Sequence, residues 1–184
     1  MGAFTVPIYY SEVRKSQDVA LRASRPEIYR VWEEFYKLTG RQYLPIEKYR
    51  TGKADHLLVM MGSYCETAMV AIDKLQDEGL NIGLIRIRLW RPFPFDELRT
   101  AVSSAKKLIV LDRALSLGGN LGPVCSEIKA ALYEEANKPQ IIGFTGGLGG
   151  RDISVETFES IIKQGIQESA ESKDNEVRMI EVRE

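Results

Sequence analysis

The chain predicts a three-layer α/β domain: a mainly parallel sheet with helices on both faces, preceded by a helical arm. Three observations carry this expectation. Short apolar or β-branched runs recur, each bounded by glycine, proline or charge. Helical patterns separate them, long enough to cross from one parallel strand to the next. At 184 residues, the chain can also bury roughly 70% of the surface it exposes when unfolded.

The first fifty residues stand apart. Ser11 to Ser24 reads as a helix of mixed charge. Ser24-Arg25-Pro26-Glu27 fits a capping box with proline in the first turn, opening a helix that runs to about Leu38 and stops at Gly40. Val31, Trp32, Phe35, Tyr36 and Leu38 give that helix a broad apolar surface. Such an arm needs cover, from its own sheet or from a neighbouring domain. The expected boundaries are 1–52 for the arm, 53–170 for the α/β domain and 171–184 for a polar tail.

Within the domain, residues 57–61, 82–89, 107–112 and 140–144 read as strands. Ser63 to Glu78 is the first intervening helix, with Ala68, Ala71, Ile72 and Leu75 on its apolar side and Gly79 as its stop. Phe95 to Ala105 is the second. Leu121 to Ala136 is the cleanest, with Val124, Cys125, Ile128, Ala131 and Leu132 at helical spacing. A last helix follows Ser154, carrying Phe158, Ile161 and Ile162. In the tail, Glu171 to Asn175 is polar, and Val177 to Val182 alternates well enough for an edge strand.

Composition narrows the function. Lys and Arg number 25 against 26 Asp and Glu, a formal charge of −1, which gives no electrostatic case for nucleic acid or an anionic membrane. The run Leu57 to Met61 is far too short to span a bilayer. No secretory h-region opens the sequence, and Val6 stands where a myristoylation motif needs Ser or Thr. A cytoplasmic protein is the expectation. Cys65 and Cys125 lie sixty positions apart with no CxxC, which excludes a self-contained iron–sulfur site. Each is expected to be a small buried hydrophobe. His56, the one histidine, directly precedes a buried strand and reads as structural or solvated.

The chemistry-bearing motifs gather at strand ends. Pro92 and Pro94 terminate the second strand and leave Arg91 and Phe93 at its carboxyl end, the edge where α/β sheets meet ligands and partners. Met61-Gly62-Ser63 leaves the first strand and opens a helix: an anion site on backbone amides, or a tight turn at Gly62 with Ser63 as cap. Thr145-Gly146-Gly147-Leu148-Gly149-Gly150-Arg151-Asp152 is neither a P-loop nor GxGxxG. It reads as a loop packing on a partner, with Arg151 and Asp152 forming an ion pair or a cap. Asp112 and Arg113 end the third strand and could serve chemistry, or Asp112 could hold a loop amide. Gly122-Pro123 opens the cleanest helix. No base–nucleophile pair, paired carboxylates or metal-ligand spacing converges anywhere.

Taken in order, Met61-Gly62-Ser63, Arg88-Leu89-Trp90-Arg91-Pro92-Phe93-Pro94, Leu111-Asp112-Arg113, Gly122-Pro123 and Gly147-Leu148-Gly149-Gly150-Arg151-Asp152 resemble the C-terminal portion of the alpha subunit of pyruvate:ferredoxin oxidoreductase. More broadly, they resemble the 2-oxoacid:ferredoxin oxidoreductases. The likeness runs to about residue 167 and includes Glu34-Phe35 and Tyr49 of the arm. It implies a fold like the C-terminal domain of transketolase. It implies an enzyme that oxidatively decarboxylates a 2-oxoacid to acyl-coenzyme A and CO2, passing electrons through iron–sulfur clusters to ferredoxin. Pyruvate is the first substrate expected, with 2-oxoisovalerate and 2-oxoglutarate behind it.

The same likeness implies what lies elsewhere. Thiamine diphosphate and Mg2+ would sit between an upstream pyrimidine-binding domain and a diphosphate-binding domain, usually on a beta chain. The Gly-Asp-Gly…Asn signature of the latter is absent here, as are cluster cysteines. The chain is therefore expected to carry no catalytic, cofactor-binding or metal-ligating residue and to be inactive alone. It would work within a hetero-oligomer beside a diphosphate-binding chain and a ferredoxin-like chain. Its candidate inter-domain or ligand edge is Gly62, Ser63, Arg91, Phe93, Asp112, Gly122, Pro123, Arg151 and Asp152. The rival expectation is a module for a small anionic ligand, coenzyme A, at Gly62-Ser63 or at Gly146–Gly150.

Overall fold

The computed structural model describes residues 4–168 and 178–183. The chain divides into two compact units, one of Ile46–Arg88 with Phe95–Glu184, the other of Met1–Pro45 with Leu89–Pro94.

The larger unit is built on a six-stranded sheet in the order β1-β3-β2-β4-β5-β6. Its strands are β1 (Ile46–Tyr49), β2 (His56–Met61), β3 (Ile82–Ile87), β4 (Lys107–Asp112), β5 (Gln140–Thr145) and β6 (Arg178–Met179). The four strands read from the apolar runs lie side by side in one direction, as β3, β2, β4 and β5. Among the described residues the alternating tail contributes the two residues of β6, parallel to β5; Val177 and the polar stretch before it, Glu171 to Asn175, lie outside the described residues.

Strand β1 falls in the stretch read as arm and runs antiparallel to β3. Of its residues only Ile46 is buried, so its apolar pattern is thin. Long-range charge and hydrogen bonding hold it instead. Glu47 accepts from Arg88 at 2.6 and 2.8 Å and from Arg86 at 3.5 Å. The Tyr49 hydroxyl meets the Asp73 carboxylate at 2.8 and 2.9 Å. A Tyr49→Phe variant is expected to lose about 0.5–1.5 kcal/mol of unfolding free energy, read from the urea midpoint.

Helices α3 (Tyr64–Asp77) and α6 (Val155–Gln167) cover one face of the sheet; α4 (Phe95–Val102) and α5 (Pro123–Leu132) cover the other. Side chains alternate along each strand. Leu58, Met60, Leu84, Ile109 and Phe144 therefore join Ile72 and Leu75 of α3 and Phe158 and Ile162 of α6 in one buried cluster. Two glycines set helix depth. A Cβ at Gly165 on α6 would lie 2.7 Å from Ile109, and one at Gly143 on β5 would lie 2.9 Å from the sulfur of Cys125 on α5.

The smaller unit carries α1 (Pro7–Ala23) and α2 (Arg25–Thr39), neither with a buried residue. Ser24 does not form the expected capping box. Its backbone is already helical (φ −72°, ψ −15°), and its hydroxyl donates back to the Leu21 carbonyl at 2.6 Å. Gly40 ends α2 at φ 71°, as its position suggested. Tyr43 stacks on Phe35 with ring centroids 5.2 Å apart, and Tyr29 stacks on Trp32 at 6.0 Å. Leu38 and Ile8 stand 85% and 74% exposed.

Candidate functional site: the carboxyl edge of the sheet

Asp112 is the centre of this edge. It ends β4 with 1% exposure. One carboxylate oxygen accepts from the Val124 amide at 2.7 Å and the other from the Cys125 amide at 3.0 Å. These are orphan donors of the first turn of α5, and a carboxylate there also meets the positive end of the helix dipole. The helix is thus capped from a neighbouring strand. Gly122 makes this possible: a Cβ there would lie 2.2 Å from the Asp112 carboxyl carbon. Its extended backbone (φ −67°, ψ 162°) keeps Leu121 and Gly122 out of the helix, which starts at Pro123 and ends at Leu132, shorter than the periodicity suggested. Burial pushes the Asp112 pKa up, against the downward pull of the two amides.

The first half of the glycine loop after β5 packs on its own chain. A Cβ on Gly146 would lie 2.2 Å from the Ile180 side chain, and one on Gly147 (φ 67°) would lie 3.1 Å from Arg113 and Tyr64. The Arg113 guanidinium lies 4.2 Å over the Tyr64 ring and donates to the Gly147 carbonyl at 3.4 Å. The Tyr64 hydroxyl donates to the Arg151 carbonyl at 2.9 Å. Ile180, Arg113 and Tyr64 thus approach Gly146 and Gly147, while Gly149 and Gly150 have open space beside them. Arg151 donates to the Glu181 carbonyl and forms no pair with Asp152, which is exposed and has no ion-pair partner among the described residues. The cap on α6 is Ser154, accepting from the Thr157 amide at 3.2 Å.

At the end of β2, Gly62 adopts φ 86°, the left-handed turn its position required. Ser63 does not cap α3: its backbone is already helical (φ −69°, ψ −28°), which takes its side chain away from the first amides. Beside it lies an ion cluster that the motif reading missed. Arg86 on β3 reaches Glu66 of α3 at 2.5 Å and Glu47 of β1 at 3.5 Å. Nothing short of knowing that β1 pairs with β3 would have joined these residues.

In the smaller unit, the Arg91–Pro92 bond is cis. The Arg91 guanidinium lies 4.2 Å over the Trp90 ring. Phe93 is buried and edge-on to Trp90 at 5.5 Å.

This edge can position backbone, and among the described residues it sets no proton donor against a nucleophile. His56 sits at the other end of β2. Cys65 and Cys125 are fully buried on helices of opposite faces; burial raises both thiol pKa values, that of Cys125 to about 12. No three His, Cys, Asp or Glu side chains gather among the described residues. Two cysteines buried on opposite faces, with no acidic or histidine cluster among the described residues, do not make the ligand set of an iron–sulfur cluster. Among the described residues no helix is long and apolar enough to cross a membrane.

Comparison with known proteins gives a consistent set. The family described as pyruvate:ferredoxin oxidoreductase core domain II matches residues 54–158. Pyruvate synthase subunit PorA of Methanothermobacter thermautotrophicus is 41% identical over 166 residues, 89% of this chain and 42% of that protein. PorA of Thermotoga maritima is 35% identical over 158 residues, covering 86% and 40%. Ketoisovalerate oxidoreductase subunit VorA of Pyrococcus abyssi is 35% identical over 162 residues, covering 88% and 41%. The chain thus spans about four-tenths of the length of these relatives. Two solved structures share the fold at a TM-score of 0.51 over 68% of this chain. One is 2-oxoglutarate:ferredoxin oxidoreductase from Magnetococcus marinus, 23% identical over 20% of its chain; the other is a split gene transketolase, 14% identical over 43% of its chain.

Proposed function

Because the chain belongs to the pyruvate:ferredoxin oxidoreductase core domain II family, we propose that it is an assembly domain of a 2-oxoacid:ferredoxin oxidoreductase. In this reading it is part of the alpha subunit of a cytoplasmic enzyme that converts a 2-oxoacid to acyl-coenzyme A and CO2 while reducing ferredoxin. Pyruvate is the favoured substrate, since the PorA relatives are named pyruvate synthase subunits; the VorA relative keeps 2-oxoisovalerate as the next choice. A diphosphate-binding chain and a ferredoxin-like chain would supply thiamine diphosphate, Mg2+ and iron–sulfur clusters.

One observation carries the assembly role: at the carboxyl edge, Asp112 is spent on the α5 amides and Arg113 on Tyr64 and Gly147. Groups committed to backbone stiffen an edge without reacting. Arg91, Phe93, Gly122, Pro123 and Arg151 would then contribute shape to inter-domain contacts, and holding reactants in near-attack geometry is worth about 7–11 kcal/mol of barrier at best.

The test uses the 184-residue chain. Titration calorimetry is expected to give no heat with thiamine diphosphate and Mg2+, and turnover with pyruvate and coenzyme A is expected to be nil until companion chains are added. Saturable thiamine diphosphate binding by this chain alone would defeat the proposal. Coenzyme A is the rival ligand. At 100 times its dissociation constant it would add about 2.7 kcal/mol of stability, so a clear thermal upshift at millimolar coenzyme A would favour the binding-module reading.

A further inference from the structure

At the opposite end of the sheet, Lys107 opens β4 only 8% exposed. Its ammonium donates to the carbonyls of Ile166 at 2.6 Å and Glu168 at 2.7 Å. These belong to the end of α6, where carbonyls lack intrahelical partners and partial negative charge collects. The Glu168 carboxylate is in turn paired with Arg178 of β6. Directly across the parallel ladder from Lys107 stands His56. Strand alternation puts both side chains on the α3/α6 face, with Met60 and Ile109. Nδ1 of His56 is buried and has no hydrogen-bond partner.

We propose that His56 and Lys107 form a proton-operated clasp on the C-terminal end of α6. While His56 is neutral, Lys107 holds the two carbonyls. A proton on His56 places a second cation beside an ammonium that cannot withdraw without releasing them. The last turn of α6 then opens, and β6 loosens with it through the Glu168–Arg178 pair.

The surrounding charges set the direction. Burial, Lys107 and Lys106 hold the His56 pKa below its usual value, and Asp55 opposes them. Asp55 is already paired with Lys106 at 3.1 Å. From β3 the registered neighbour is Ile82, without charge; burial lowers the Lys107 pKa, and Glu168 at the end of α6 opposes that shift. With its folded pKa depressed, His56 takes up a proton first in the unfolded chain. Stability is therefore full above the unfolded pKa of about 6.5 and is lost as pH falls through the folded value.

The test is NMR on the full chain between about pH 7.5 and about pH 5, following the His56 imidazole and amide exchange corrected for its intrinsic pH dependence. Protection at Gly165 to Glu168 and at Ile180 is expected to fall about tenfold, with the midpoint of the His56 titration, while α3 and α5 keep theirs to within about twofold. His56→Gln should abolish the linked loss, and Lys107→Met should leave the α6 end unprotected at both extremes. An imidazole that titrates with no change at α6, a loss spread evenly over all helices, or an unaltered pH profile in His56→Gln would each overturn the clasp. If His56→Gln does not fold, coincidence of the two midpoints in the unmodified chain decides the matter.

Discussion

Replacing Asp112 with alanine is expected to lower the unfolding free energy by about 2–6 kcal/mol in urea titrations, because it strands two buried amides at about 1–3 kcal/mol each. Those amides, of Val124 and Cys125, have their acceptors in the two Asp112 oxygens. Asp112→Asn retains one acceptor oxygen but turns an NH2 toward the second amide, so about half the loss should appear. The pH dependence separates charge from hydrogen bonding. A carboxyl pKa raised on folding means that the native chain holds this proton more tightly than the unfolded one does. Stability from this group then declines as pH rises from about 3.9, the unfolded value, through the raised folded value, and levels off above it. Asp112→Asn should flatten that decline. An Asp112→Ala loss below about 1 kcal/mol would show that water or a shift of α5 satisfies the amides instead.

The second large effect is expected at Gly165. A valine there puts its Cβ within 2.7–3.1 Å of three Ile109 side-chain atoms in the middle of the core and adds two methyl groups beyond it. Overpacking of this kind costs about 1–3 kcal/mol, and the upper end applies where β4 is held on both sides by strands that cannot move. Gly165→Ala should cost less, since leaving glycine inside a helix returns about 1 kcal/mol. Pairing Gly165→Val with Ile109→Ala should recover part of the loss, with a coupling of about 1–2 kcal/mol in a double-mutant cycle. Strict additivity of the two changes would mean that the helix rides on some other contact.

Much of the fold was legible in the sequence because parallel strands buried on both faces appear as dense apolar runs. Leu57–Met60, Ile82–Ile85 and Leu108–Leu111 could not be mistaken. Strand β1 was not legible: Ile46-Glu47-Lys48-Tyr49 buries one side chain and is held by Arg88, Arg86 and Asp73, all distant in sequence. Capping failed for a related reason. Ser24 and Ser63 have the composition of caps, yet both lie in backbone that is already helical, whereas the cap of α5 comes from Asp112 in another element. Asp112 and Gly122 both stood out as edge residues, but one serving as the shelf for the other follows only from the 2.2 Å approach. Lys107 gave no signal at all, since a lysine opening a strand ordinarily reaches solvent.

Gly143 and Gly165 lie over neighbouring strands and press helices onto the sheet from opposite faces, α5 against β5 and α6 against β4. Volume gained on one side must therefore be given up on that side or passed through the sheet to the other. A side chain larger than alanine at Gly165 is accommodated most readily when Ile109 shrinks, and one at Gly143 when Cys125 does. These small residues thus act as spacers that hold the thickness of the slab from both sides.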